Sequence, residues 1–205
     1  MDGVKRRLSQ TLGQMKKGFA VDTHEGGFVA VETVLAVPAK TNTAIHAAIA
    51  LTTAVQTITA AITSPTVYRV LSITGNAVTA VGDVIITGKD WAGRKTTETI
   101  VSTGAATVNG TVPFMSVDSI QVPVRGAVGD TISVGTADIL GLYRPVLNNV
   151  RANIFEMERR AAAGTFYAKD TMSSASAVND VGTYTPNGGI VANDCFRVSY
   201  YTDVF

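Results

Sequence analysis

The sequence predicts an all-β protein whose centre is an antiparallel β-sandwich. Between about Thr66 and Tyr143, short apolar or alternating runs recur roughly every eight to twelve residues, separated by turn sequences such as Gly75-Asn76 and Asn109-Gly110. The chain is also rich in Thr and Val, which suit a pleated sheet. No stretch between these runs has the helix length that a parallel βαβ fold requires.

The composition narrows the classes of protein before any motif is considered. The chain has 205 residues, of which 46% are hydrophobic and 16% charged, and its formal net charge is +1. Such a chain can bury a core, and its bulk charge drives it onto neither nucleic acid nor an anionic membrane. We therefore expect no specific nucleic-acid partner and no membrane partner. A surface so poor in charge favours assembly with other subunits over a free monomer.

The first twenty residues differ from the rest of the chain. They carry five basic side chains against Asp2 alone, and apolar residues recur among them at helical spacing. Residues 1–26 are therefore predicted to be an extended basic N-terminal arm. The arm is either a mobile tail or a segment that docks on an acidic neighbouring protein. For docking, the predicted contact residues are Lys5, Arg6, Arg7, Leu8, Leu12, Lys16 and Lys17.

Residues 27–143 are predicted to form the sandwich, and the first strand leads to Pro38. The Ala-rich run from Ala44 to Ala50 is compatible with a helix, whereas Val55 to Ile62 alternates like a strand. The apolar stretch 44–62 contains too much threonine to insert into a membrane as a helix.

The strongest strand signals follow. Val67 to Thr74 is apolar on both faces, as in a strand that is buried on most sides. Val84 to Gly88 and Thr96 to Val101 are predicted to form a hairpin whose tip is Lys89 to Arg94. Further strands are predicted between Phe114 and Gly135, with a break near Pro123.

Residues 144–205 are predicted to be a β-rich segment that packs on the sandwich or completes it. Residues 150–157 and 164–171 are predicted to pair as a hairpin, with a helix over 155–163 as the competing interpretation. Cys195 is either a buried free thiol or the site of a disulfide between chains. Five aromatic residues are predicted to lie at a subunit interface or in a small core, with a sugar-stacking platform as the alternative: Phe166, Tyr167, Tyr200, Tyr201 and Phe205.

No arrangement of side chains in the sequence predicts catalysis. A nucleophile needs a positioned base, but His24 lies in a Gly-rich loop and His46 in an Ala-rich run, outside any pattern such as Gly-x-Ser-x-Gly. Aspartates at strand ends, such as Asp118 and Asp130, are predicted to cap turns. The sequence contains no calcium loop, no Cys-based zinc cluster and no phosphate-binding loop. We therefore expect no enzymatic activity, no metal and no cofactor.

Three segments of the chain resemble virion proteins of tailed bacteriophages. They are Gly82-Asp-Val-Ile-Ile-Thr-Gly through Thr96-Thr-Glu-Thr-Ile-Val, Thr107-Val-Asn-Gly-Thr-Val-Pro-Phe through Ile120, and Gly129-Asp-Thr-Ile-Ser-Val-Gly through Leu142. Their order along the chain is the most specific feature. The resemblance implies an Ig-like or jelly-roll-like sandwich with a structural role in the phage particle and no catalytic residues.

The resemblance also implies a place in the particle. These proteins are head decoration (cement) proteins, head fibres and related accessories, so the expected function is to stabilise the head by bridging major capsid subunits. The expected partners are the major capsid protein or other virion proteins, and further copies of the chain in a homo-oligomer. The expected location is the virion, assembled in the host cytoplasm. Two alternatives stay open: a neck or tail adaptor, tube or fibre component, and a carbohydrate- or host-surface-binding module.

Overall fold

The structure, a computed structural model, describes residues 19–24, 27–144, 154–160, 174–178, 181–186 and 189–202. Within these ranges the regular secondary structure is β-strand throughout, and the strands pair antiparallel, which confirms the predicted all-β sandwich class. The chain divides into two compact units. The central unit is Pro38–Gly141, and the terminal unit combines Met1–Val37 with Leu142–Phe205.

The central unit contains two antiparallel sheets. Its strands are β3 (His46–Ala50), β4 (Gln56–Ile58), β5 (Arg69–Gly75), β6 (Val81–Lys89), β7 (Lys95–Thr103), β8 (Thr107–Phe114), β9 (Ser116–Val122) and β10 (Thr131–Gly141). One sheet has the order β3-β10-β5-β8, and the other has the order β4-β9-β6-β7. The predicted hairpin is β6–β7, an uninterrupted ladder in which Val81 pairs with Thr103 and Lys89 with Lys95.

The core of the central unit lies between these two sheets. Along β7, buried side chains alternate with exposed ones, so Glu98, Ile100 and Ser102 face inward. Apolar side chains from both sheets meet in one cluster, which includes Ile49, Leu71, Ile73, Val84, Ile86, Phe114, Ile120, Ile132 and Val134. Each such side chain contributes about 1.5–3 kcal/mol when it is fully buried. Burial of both inner faces is what makes this unit a sandwich.

The terminal unit brings together strands from both ends of the chain. Its sheet has the order β1-β2-β14-β11, formed by β1 (Phe19–His24), β2 (Gly27–Val37), β11 (Ile154–Arg160) and β14 (Asp194–Thr202). A hairpin joins β12 (Ser174–Val178) to β13 (Val181–Thr185). Tyr184 of the hairpin packs edge-to-face on Phe196 of β14, with ring centroids 6.0 Å apart. Residues 27–37, predicted to belong to the sandwich, thus belong to the terminal unit. The predicted arm, residues 1–26, is too long at its C-terminal end, because residues 19–24 form β1 and pair with β2.

Two helical interpretations of the sequence are wrong where the structure describes them. The run from Ala44 to Ala50 contains β3, because Ile49 pairs with Ile132 of β10 and is buried in the core. The stretch that includes Phe155 is β11, which pairs with β14. In both cases strand pairing over a long sequence distance outweighs local helix propensity. The predicted hairpin partner, residues 164–171, lies outside the described residues.

Candidate functional site

One end of the central unit exposes five valines, which together we call the valine end: Val55, Val78, Val81, Val124 and Val128. Val78 and Val128 are the most exposed, at 79% and 84%. Both lie in turns, Val78 between β5 and β6 and Val128 between β9 and β10. Isolated exposed apolar residues are ordinary on protein surfaces, but a group of them at one place marks a surface that binds something.

Hydrogen bonds lock the two most exposed turns together. The side-chain amide of Asn76 makes two of these bonds. Its Nδ2 donates to the backbone carbonyl of Gly129 (2.9 Å), and its Oδ1 accepts the backbone N–H of Thr131 (2.8 Å). The hydroxyl of Thr79 donates to Oδ1 of Asp130 (2.7 Å). This bond from Thr79 is the main reason that the pKa of Asp130 lies below its usual value. The valines are thus presented by a fixed scaffold.

Asp130 also organises its own turn, as the sequence predicted. Its Oδ2 accepts the backbone N–H groups of Gly126 (3.0 Å) and Ala127 (2.7 Å). Both carboxylate oxygens are therefore occupied by turn groups, and the residue is buried. Asp130 is a turn cap and adds little exposed charge to this surface. The same prediction is wrong for Asp118, which lies exposed within β9 and not at a turn.

The remaining turns at this end are tied to the same scaffold. The N–H of Arg125 donates to the carbonyl of Thr52 (2.7 Å), which joins the turn after β9 to the loop after β3. Gly104 has a φ of +99°, and a Cβ atom there would lie 2.8 Å from Cα of Val78, so the turn after β7 packs closely under Val78. Apart from buried Asp130, the charged side chain in these turns is Arg125. The valine end is therefore a nearly uncharged and pre-organised surface that exposes several apolar side chains among Thr and Asn side chains.

The opposite end of the central unit carries the Trp91 hairpin, residues 89–95. Asp90 holds its turn: Oδ1 accepts the N–H groups of Ala92 and Arg94, each at 2.9 Å, and Oδ2 accepts Nε of Arg94 at 2.7 Å. Trp91 is 43% exposed on this ordered turn. Because β6 has nine residues, the two ends are about 30 Å apart along the strands.

The terminal unit contains a buried carboxyl group with unusual acidity. Each oxygen of Glu32 lies 2.9 Å from the backbone N of Tyr143, which donates to the carboxylate, and the hydroxyl of Tyr200 donates to Oε1. Burial raises the pKa of Glu32 to about 7, against the opposing effect of these hydrogen bonds and of Arg144. Raised carboxyl pKa values occur at catalytic sites. Here the partners of the carboxylate are a backbone N–H and a buried tyrosine hydroxyl of the same chain. Glu32 therefore has a structural role: it links β2 to β14 and to the backbone at Tyr143.

Among the described residues, no group of three or more His, Cys, Asp or Glu side chains could hold a metal ion. His46 makes a contact of 2.7 Å to the carbonyl of Ala47, and the buried thiol of Cys195 lies 3.8 Å from the carbonyl of Asn193. In the same part of the chain, no helix is long and apolar enough to cross a membrane.

Most of the contact residues that the sequence predicts lie outside the residues that the structure describes. The seven arm residues, Lys5, Arg6, Arg7, Leu8, Leu12, Lys16 and Lys17, lie outside the described residues, and so do Phe166, Tyr167 and Phe205. Tyr201 lies on β14, where only its backbone is described. Tyr200 is fully buried and donates to Glu32, so its ring lies in the core of the terminal unit, one of the three places predicted for the aromatic residues.

The valine end was not predicted, although its sequence contains a signal. Val78 lies in Asn76-Ala-Val-Thr-Ala80 and Val128 in Gly126-Ala-Val-Gly-Asp130, both turn sequences in which a polar residue is the usual choice. A large apolar side chain in a turn is a reason to look for a binding surface. Comparison of the chain with protein-family models, curated protein sequences and solved structures found no match in any of the three.

Proposed function

We propose that this chain is a non-enzymatic structural protein of a tailed-phage particle, a head decoration (cement) protein that bridges neighbouring major capsid subunits. The observation that carries the proposal is the valine end, a rigid surface of exposed valines without an internal partner in the central unit. The resemblance of three sequence segments to phage virion proteins is the reason for proposing a phage particle as the assembly that this surface joins. An alternative is a neck or tail component, which would use the same surface on a different partner.

The proposed mechanism is burial of surface in many copies. A stable protein interface buries roughly 1,200–2,000 Å² in total, and a few anchor residues carry most of its energy. Val78 and Val128 are the proposed anchors, because they are the most exposed and the most firmly positioned. The basic arm is a proposed second contact, which would add many individually weak ion pairs to an acidic capsid surface.

The test is attachment to heads assembled from the major capsid protein of the phage that, on this proposal, encodes the chain. We expect the full chain to co-sediment with these heads in hundreds of copies per particle. The variant Val78→Gln/Val128→Gln should bind at least tenfold more weakly, because burial of two valines is lost without a change in charge. The matched control is Met115→Gln, which alters an apolar side chain that is 39% exposed at the opposite end of the unit, where the N–H of Met115 donates to the carbonyl of Lys89 (2.8 Å).

Three results would contradict the proposal in different ways. Equal binding by the double variant and the control would remove the valine end from the interface. Saturation at a dozen copies or fewer would favour the neck or tail alternative. Absence of binding to heads would reject the decoration function itself.

A further inference from the structure

The outer face beside the Trp91 hairpin places like charges next to each other. Lys89 of β6 and Lys95 of β7 are direct partners in the antiparallel register, and both are exposed. Two cations in such positions repel each other and destabilise the sheet. Neither lysine forms an ion pair with an acidic side chain of the described residues. The nearby carboxylate of Asp90 is paired with Arg94 instead. This arrangement becomes favourable when an anion lies between the two ammonium groups.

Hydroxyl groups continue the same face away from the tip. Thr87 and Thr97 are the next partners on this side of the ladder, and their hydroxyl oxygens lie 3.2 Å apart. Thr99 follows on β7 and is exposed. The surface therefore offers two cations, a row of hydroxyl donors and acceptors, and an exposed indole on the adjoining turn. Indole and aliphatic ring faces pack well together, and hydroxyl groups pair with hydroxyl groups of a ligand.

We propose that the Trp91 hairpin and the adjoining face of β6 and β7 bind an acidic oligosaccharide, a saccharide whose sugar rings carry carboxylate groups. Trp91 stacks on a ring, Lys89 and Lys95 share a carboxylate, and Thr87 and Thr97 bond to ring hydroxyls. A nucleic acid is the less suitable polyanion, because the central unit contains six basic and six acidic side chains and has no basic stripe. The site lies at the opposite end from the valine end, so an attached protein would present it outward; the binding itself does not depend on the proposed attachment to capsids.

The test uses the full chain and tetragalacturonic acid as the probe. Trp91 is the single tryptophan of the chain, so its fluorescence reports directly on this hairpin. We expect tetragalacturonic acid to shift the emission in a saturable way, and the neutral tetrasaccharide maltotetraose to bind at least tenfold more weakly. Binding should weaken with salt, since exposed charges are screened.

Calorimetric titration of variants locates the site. Lys89→Gln/Lys95→Gln and Trp91→Ala should each weaken binding at least tenfold. Asp118→Asn should strengthen it, because this exposed acid on the neighbouring strand β9 repels the ligand. Lys40→Gln is the matched control, since Lys40 is exposed but paired with Asp138 at 3.2 Å.

The proposal is overturned by no binding of tetragalacturonic acid, by equal binding of the neutral sugar, or by binding that survives both site variants. Tighter binding of an oligothymidylate with the same number of charges would replace the saccharide by a nucleic acid. All of these measurements use the isolated chain, so their outcome is separate from attachment to heads.

Discussion

The carboxylate of Glu98, on β7 of one sheet, accepts the backbone N–H of Thr111, on β8 of the other sheet, at 2.5 Å. The same oxygen accepts the hydroxyl of Thr111 (2.9 Å) and the N–H of Val112 (3.1 Å). These groups lie where the pairing of β8 with β5 is irregular, between Asn109 and Pro113. One buried carboxylate therefore accepts the backbone N–H groups that the irregular pairing leaves without a strand partner, and it links β7 of one sheet to β8 of the other.

Removal of this carboxylate should destabilise the central unit. Glu98→Ala leaves two backbone N–H groups without their acceptor, and hydrogen bonds to a charged group contribute about 1.5–3 kcal/mol. We expect a loss of about 3 kcal/mol in the free energy of unfolding, measured by urea titration with Trp91 fluorescence. Thr99→Ala, an exposed change on the same strand, is the control and should alter stability by less than about 0.5 kcal/mol. An unchanged urea midpoint for Glu98→Ala would contradict the role of this carboxylate.

Gly110 is needed because the Glu98 carboxylate occupies the space of a side chain. A Cβ atom at residue 110 would overlap Oε2 of Glu98 and lie 2.8 Å from Oε1. Gly110→Ala should therefore destabilise the wild-type chain by about 1–3 kcal/mol. In the Glu98→Ala background the same change should cost much less, because the overlapping atoms are gone. Additive effects in this double-mutant cycle would show that the contact does not determine the residue at 110.

The stability of the terminal unit should fall as the pH rises from about 4.5 to about 7. The pKa of Glu32 is about 7 in the folded chain and 4.5 without burial, so between these values the folded state binds more protons than the unfolded state. The stabilisation is complete below the lower value and is lost above the upper one, a difference of about 3 kcal/mol. Hydrogen exchange of β2 and β14, corrected for the intrinsic rate, measures it at pH 5 and pH 8. Glu32→Gln should be insensitive to pH in this window, and an identical pH dependence in both proteins would refute the assignment.

Asp130 should give the central unit the opposite response to acid. The hydrogen bond from Thr79 and those from backbone N–H groups hold the pKa of Asp130 below its usual 3.8. Its stabilisation is therefore present above that pH and is lost as the pH falls through the lower, folded-state pKa. Urea midpoints from Trp91 fluorescence should drop between pH 6 and pH 3, and Asp130→Asn should drop less. The prediction fails if the variant retains the full acid sensitivity of the wild type.

Deletion of residues 2–18, which leaves β1 intact, should weaken attachment to heads without unfolding the chain. Five basic side chains are removed, and these act together with the apolar residues of the arm. Far-ultraviolet circular dichroism should keep its β signature, while co-sedimentation with heads drops sharply. Added salt should reproduce only part of this loss, because apolar contacts are not screened. Wild-type affinity of the truncated chain would assign attachment to the described β-structure alone.

The sequence predicted those strands whose signals are local. The β6–β7 hairpin was predictable because alternation and turn residues lie within one short stretch. The strand at His46–Ala50 was not, because Ala50 pairs with Thr131 and nothing near Ala50 in the sequence reveals that partner. The valine end combines four turns that are distant in sequence. Each turn could be predicted from its own residues, but the fact that the four lie at the same end of the unit could not. The buried environment of Glu32 depends on Tyr143 and Tyr200 and was likewise out of reach.

The direction in which β6 and β7 run, from one end of the central unit to the other, also has a mechanical consequence. The valine end and the Trp91 hairpin lie at opposite ends of these strands, so a pull between the two surfaces is directed along the backbone. The hydrogen bonds of antiparallel strands run perpendicular to that direction. When the protein is held at one end and pulled at the other, the hydrogen bonds between β6 and its neighbour β9 are therefore loaded in shear. Several of these bonds then share the force, instead of breaking one at a time from an end.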